Sequence, residues 1–238
     1  AALKAVFADV RAYAANRAAW ERGGYRELGL SKADLDALVP LVQGRTPLIA
    51  RVHREADIRA VLKLAREENL KVILEGVEEG WKLAPEIARA GAPVILYPYA
   101  DRPESFEVLG STLENAARLQ AAGVTVALTA PEGAAHRARE TRYGAGTAVA
   151  WGLPWEAALA AVTINPARMF GVGDRTGSLE PGKDADLVVW SGDPFEPLTE
   201  ARAVYIRGQS QSLVTRQTQL RDRYRDLARP LPPAYTKP

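Results

Sequence analysis

His53 and His136 are the only histidines in the 238-residue chain, and there is no cysteine. Thiolate metal sites and disulfides are excluded, so any bound divalent ion would depend on imidazole and carboxylate. His53 follows an apolar run, Pro-Leu-Ile-Ala-Arg-Val, that reads as a strand, which puts its ring at the strand's C-terminal end. Arg51, two residues earlier, carries a guanidinium that cannot bind a cation but forks onto carboxylates. Glu75 follows the next apolar run. Two readings of Arg51 stay open: it holds an anionic ligand, or it pairs with Glu75 across neighbouring strands. His53 also has two, a site residue or a group that bonds backbone ahead of a helix beginning at Glu55. His136 falls a turn into a helix, where a surface histidine is ordinary. No glycine-rich phosphate loop opens a helix after any strand, because Gly76 and Gly80 are too sparse. No serine or cysteine sits in a nucleophile elbow.

The elements that would position these groups follow from apolar periodicity. Two helices come first, over residues 2–22 and 32–43, the second capped by Ser31 and ended by Gly44. Apolar runs then start at Pro47, Lys71, Pro93 and Val124, each separated from the next by a helical stretch: 55–68, 78–90 with Pro85 bending or splitting it, and 107–122 closed by Gly123. Continuous apolar strands alternating with helices mean parallel strands buried on both faces. Four such strands are half of what a (β/α)8 barrel needs. Half a barrel leaves two long unpaired edges and an unfilled interior. The missing half lies elsewhere, the sheet is open, or two copies pair. Beyond 128 the pattern gives helices over 134–151 and 154–162 and a short third one from Asn165. Short strands over 185–190 and 202–207, a charged helix over 216–229 and a Pro-rich end follow.

Composition bounds the partners. Hydrophobic residues make up 47% of the chain, enough for a sizeable core in one large domain or two modest ones. The net charge of +2 is too small for nucleic acid to be the default partner. No apolar run approaches the length of a membrane span and no signal peptide is visible, so a membrane partner is not expected. The first residues already read as a helix, which raises the expectation of further sequence upstream.

The most specific pattern lies near the C-terminus: Thr163-Ile164-Asn165-Pro166-Ala167, then Gly177-Ser178-Leu179-Glu180-Pro181-Gly182-Lys183-Asp184-Ala185-Asp186-Leu187-Val188-Val189, then Gly192-Asp193-Pro194. Pro181-Gly182 is a turn pair, and Asp184 and Asp186 flank the start of a strand where they can bond backbone amides. These residues read as architecture. Their order resembles the C-terminal portion of the amidohydrolase superfamily, especially its imidazolonepropionase-like branch. The resemblance implies an α/β fold in which residues 1–172 supply about strands 5–8 of a TIM (β/α)8 barrel. It further implies a small β-sandwich segment over 173–212 and a helical, Pro-rich tail over 213–238.

The resemblance also implies hydrolysis of non-peptide C–N bonds by water activated on zinc or another divalent metal. Its ligands would be a His-x-His pair on a first strand absent here, histidines on the fifth and sixth strands and an aspartate on the eighth. In this chain Arg51 and His53 stand at the fifth-strand positions. Glu75 remains beside Gly76, which stands where a histidine is expected. Ala130 or Pro131 stands at the aspartate position, with Glu132 next door. His53, Glu75 and Glu132 are thus the candidate metal ligands, Glu75 and Glu132 the candidate catalytic groups, and Arg51, His53 and Tyr97 the candidate substrate contacts. The expected protein is an amidohydrolase incomplete or inactive in this chain alone, or a non-catalytic binding protein with a degenerate pocket. Its expected partners are a small-molecule substrate, the missing N-terminal half or a second chain, and a second copy in a homo-oligomer. Export in bacteria is compatible with the resemblance, and the compartment stays open.

Overall fold

Four short apolar runs become the strands of one parallel sheet. The computed structural model describes residues 2–100, 103, 105–130 and 135–225. Strands β1 (Leu48–Val52), β2 (Val72–Gly76), β3 (Val94–Leu96) and β4 (Val126–Leu128) lie side by side in chain order. Each neighbouring pair is parallel. This is the α/β arrangement the alternating apolar runs predict. The sheet is open: among the described residues no strand pairs with the outer edge of β1 or of β4.

One face of the sheet is covered by helices. Val52, Leu74, Leu96 and Leu128 pack with Ile58 of α3 (Glu55–Glu67), Ile87 of α4 (Ala84–Ala90), Leu119 of α5 (Asn115–Ala121) and Ala148 of α6 (Thr141–Ala150). On the other face of β1, Ile49 and Arg51 are exposed. Side chains alternate along a strand, so the helix-covered face takes Ala50 and Val52 and the open face takes Ile49 and Arg51. The first two helices, α1 (Ala2–Glu21) and α2 (Lys32–Val42), pack on each other through Val10, Tyr13 and Leu35. They reach the sheet layer where Phe7 and Leu41 meet Leu70, with Leu48 and Leu64 alongside. Ser31 caps α2 by accepting from the Asp34 amide, as its position predicts.

Three expected helices are shorter or divided. The 78–90 stretch splits into a 3-10 turn, Gly80–Leu83, and α4, with Pro85 in the first turn of α4, where its missing N–H is no loss. The 107–122 stretch keeps only a 3-10 turn, Phe106–Val108, and α5. The break has a tertiary cause: the Gly110 carbonyl accepts from Trp81 Nε1 at 2.8 Å, and a Cβ at Gly110 would collide with the Glu79 carboxylate and approach Lys82 Nζ at 2.7 Å. The 134–151 stretch begins as 3-10, Ala135–Glu140, before α6. Helices α7 (Trp155–Val162) and α8 (Ile164–Met169) follow, and Asn165 Nδ2 ties α8 to the Val126 carbonyl at 2.8 Å.

The C-terminal strands form a separate antiparallel sheet of β5 (Leu187–Trp190), β6 (Ala201–Ile206) and β7 (Gln209–Ser210). The hairpin to β7 was not legible from apolar pattern. Arg207 and Gly208 both take positive φ, 50° and 73°, the pair that a two-residue hairpin turn requires. Helix α9 (Arg216–Arg225) ends the described chain.

Candidate functional site

The polar groups singled out in the sequence gather at the C-terminal ends of β1 and β2. Arg51 and Glu75 are partners in register, so their side chains leave the sheet on the same open face. Arg51 Nη2 and Nε both donate to Glu75 Oε2, at 3.2 and 3.3 Å. The ion pair across neighbouring strands, one of the two readings open in the sequence, is therefore present. Both side chains are partly solvated, which keeps the pair's contribution to stability near about 0–1 kcal/mol.

His53 does something the sequence did not show. Its Nδ1 lies 2.6 Å from Oε2 of Glu78, a carboxylate only 5% exposed. Glu78 stands at the head of a Glu-Glu-Gly run that reads as the start of a surface helix, and nothing in that pattern marks it as buried. A backbone bend puts it there. After β2 the chain passes through Gly76 at φ +88° and Val77 at φ +49°. A left-handed β-branched residue is an outlier that stores roughly 1–3 kcal/mol. It is held from several sides. The Val77 amide donates to the Val52 carbonyl at 2.7 Å, and the Val77 carbonyl accepts from the Gly80 amide at 2.7 Å and from Asn115 Nδ2 at 3.0 Å. Asn115, fully buried, also accepts from the Trp81 amide at 3.0 Å.

The next residue points elsewhere. Glu79 Oε2 accepts from the Glu55 amide at 2.9 Å, and Oε1 accepts from Lys82 Nζ at 2.9 Å. A carboxylate at the N-terminus of α3 satisfies one of its free amides and meets the positive end of the helix. The Glu55 amide bond, more than Lys82, holds the Glu79 carboxyl below its ordinary value against the opposing effect of burial. The His53 backbone joins the same junction, its carbonyl accepting from the Glu79 amide at 3.1 Å. The ring of His53 therefore bonds a carboxylate, not the backbone ahead of α3, and its main chain joins the junction.

Tyr97 follows β3 and is half-buried, its ring 5.5 Å from that of Tyr99 in an edge-on pair. Glu132 lies outside the described residues. His136 is exposed on the 3-10 turn before α6. The structure therefore brings Arg51, His53 and Glu75 together with Glu78 and leaves His136 at the surface. The donor set does not fit a divalent ion among the described residues. No group of three or more histidine, aspartate or glutamate side chains is disposed to hold one. Glu75 already faces a guanidinium and His53 Nδ1 faces Glu78. A guanidinium forks onto anionic groups and an imidazole exchanges protons, so the rim carries side chains of both kinds.

A large cavity of about 1100 Å³ opens at the opposite end of the sheet, where β2 and β3 begin, lined by Arg59, Arg66, Lys71, Arg89, Arg168 and Phe170 among others. It holds none of the groups gathered at the strand ends.

A parallel sheet of βα units, polar groups at its C-terminal rim and a small antiparallel sheet behind the last helices define a class. The chain belongs to the amidohydrolase family, whose model matches residues 49–219. Members of that family are generally metal-dependent. An amidohydrolase from Thermotoga maritima MSB8 superposes with a TM-score of 0.76 at 29% identity, over 88% of this chain and 54% of that one. Two curated relatives match in shorter stretches. The imidazolonepropionase of Solibacter usitatus is 44% identical over 57 residues, 21% of this chain and 14% of that protein. The amidohydrolase tasK of Hapsidospora irregularis is 46% identical over 61 residues, 26% of this chain and 6% of that protein. The chain thus spans about half the length of the solved relative and a small part of the curated ones. No helix of the described residues is long and apolar enough to cross a membrane.

Proposed function

We propose that β1 to β4 are the fifth to eighth strands of an eight-stranded barrel, and that the barrel hydrolyses a C–N bond of a small molecule once its N-terminal half is in place. One observation carries this reading. The sheet is parallel in strict chain order, and the open face of β1 presents Ile49, 46% exposed, and Arg51 toward a space that further strands would enclose. The length of the Thermotoga relative supports it, since this chain covers only 54% of that fold. The N-terminal half comes from a longer form of the same chain or from a second chain. Pairing of two copies through the β1 edge is the competing assembly.

In the assembled protein the substrate lies over the rim of Arg51, His53, Glu75 and Tyr97. Arg51 orients an anionic or carbonyl oxygen of the substrate. His53 handles the proton that moves from water to the leaving nitrogen. Among the described side chains no group of three or more is disposed to hold zinc or another divalent ion, and the part these residues play is binding and proton handling. The test joins this chain to its N-terminal half and assays cyclic and linear amides by mass detection of the ring-opened or cleaved product. His53→Ala is expected to lower kcat by about 100-fold or more. Undiminished turnover in that variant would remove His53 from the reaction.

The Arg51–Glu75 pair favours a second reading, a binding protein whose pocket has given up catalysis. In that case Arg51→Ala weakens capture of a carboxylate ligand such as a dicarboxylic acid in calorimetry, and no amide in the panel is cleaved by the assembled protein.

A further inference from the structure

The bend after β2 and the ring of His53 fit each other too closely to be independent. A Cβ at Gly76 would lie 3.0 Å from His53 Nδ1, 3.1 Å from Cε1 and 3.3 Å from Glu78 Oε2. A side chain at position 76 would crowd the ring and require it to shift by a few tenths of an ångström, and the φ of +88° disfavours one in any case. The left-handed Val77 then turns Glu78 back under the ring, locked by the main-chain bonds to Val52 and Gly80 and by Asn115. The Glu78 side chain is 7% exposed and that of His53 29%, so the bonded nitrogen faces the interior and the remainder of the ring faces the rim. Nδ1 has Glu78; Nε2 has no partner among the described residues.

We propose that Glu78 is the positioning residue of His53. It accepts the Nδ1 proton of the neutral ring and leaves Nε2 unprotonated, as the proton acceptor presented to substrate, with Gly76 and Val77 as the backbone device that makes room for the pair. A carboxylate that fixes one imidazole nitrogen chooses the tautomer, and with it the atom that does chemistry. This rests on the reading of His53 as a proton-handling group, and it can be tested apart from it.

The chain's two histidines make the test direct. Long-range proton–nitrogen correlation spectra of the labelled protein, at about two pH units above the ordinary imidazole value of about 6.5, report which ring nitrogen carries the proton, with His136→Gln assigning the signals. The wild type is expected to show His53 as the Nδ1–H form. Glu78→Gln retains that form, because the amide oxygen still accepts. Glu78→Ala reverts to the Nε2–H form that free imidazole prefers, and Gly76→Ala, which crowds the ring away from Glu78, weakens the Nδ1–H preference as well. An Nε2–H form in the wild type overturns the proposal, and so does an unchanged Nδ1–H form in folded Glu78→Ala. Should Gly76→Ala fail to fold, the Glu78 pair of variants still decides. If Glu78→Ala resets the tautomer while turnover of the assembled enzyme is unchanged, the positioning stands and the part given to His53 in hydrolysis falls.

Discussion

The two sheets of this molecule are built on opposite terms. In the parallel sheet the strands are short and apolar, and Leu74, Val94, Leu96 and Val126 are buried under a layer of helices. In the antiparallel sheet no strand residue is buried; Val188 and Val189 stand exposed, and the unit is held by polar bonds. Asp186 accepts from the Arg207 amide at 2.8 Å, and Lys183 Nζ donates to the Gly173 carbonyl at 2.7 Å and to Ser178 Oγ at 2.6 Å. Arg142, reaching across from α6, donates to the carbonyls of Pro194, Glu196, Pro197 and Thr199. A sheet held by burial tolerates exchange of one apolar residue for another of similar volume, so its sequence is anonymous. A sheet held by turns and single bonds tolerates little, so its sequence is recognisable. The string that carries the family resemblance is conspicuous because of its turn chemistry, and it contains none of the groups at the rim of the parallel sheet.

The largest expected effect tests that contrast directly. Leu74→Ala removes a fully buried side chain from the centre of the parallel sheet and should lower stability by about 2–5 kcal/mol in urea unfolding. Val189→Ala, at a site 46% exposed, should change it by no more than about 0.5 kcal/mol. Equal losses would show that the small sheet buries its face against something outside the described residues, and the contrast would dissolve.

Next in size is Arg142→Ala. Four loop carbonyls lose a charged donor together, and guanidinium stacking on the Tyr143 and Trp190 rings is lost with it. A drop of about 1.5–3 kcal/mol is expected, with faster amide exchange confined to residues 191–206. Exchange that rises equally in β1 to β4 would mean that the two sheets unfold as one unit.

Glu79 offers a smaller, pH-dependent effect of about 0.3–1 kcal/mol. Its carboxyl is held low chiefly by the Glu55 amide, with Lys82 adding to it. The folded form therefore titrates below the unfolded one. Its contribution is complete above the ordinary carboxylate value of about 4.3 and is lost as the pH falls through the lower folded value. Glu79→Gln should be less stable than wild type at neutral pH, and the two unfolding curves should converge in acid. A gap that persists unchanged at low pH would assign the loss to packing.

Much of the fold was legible and little of the site was. The runs from Pro47, Lys71, Pro93 and Val124 each became a strand because a continuous apolar run bounded by turn residues has few other uses. The helix expected over 107–122 failed where Gly110 meets Trp81 and Glu79, a contact between distant segments that no local pattern carries. Glu78 was missed for the same reason. A buried carboxylate is a property of what folds around it, and the signal available was the glycine ahead of it, at a place where the family resemblance implied a histidine. Read as an absent ligand, Gly76 looked like a loss; beside His53 it is a space already filled.

The smallest effect separates structure from use at the rim. Arg51 and Glu75 are in register and partly solvated, and screening by solvent leaves such a pair little to contribute. Arg51→Ala, Glu75→Ala and the double variant should form a cycle with a coupling below about 1 kcal/mol in stability. Binding should behave otherwise. The guanidinium lies on the open face of β1, so Arg51→Ala should weaken capture of a dicarboxylate. A coupling well above that bound would make the pair a structural clasp between β1 and β2, and indifference of anion affinity to Arg51→Ala would leave Arg51 with no part in recognition.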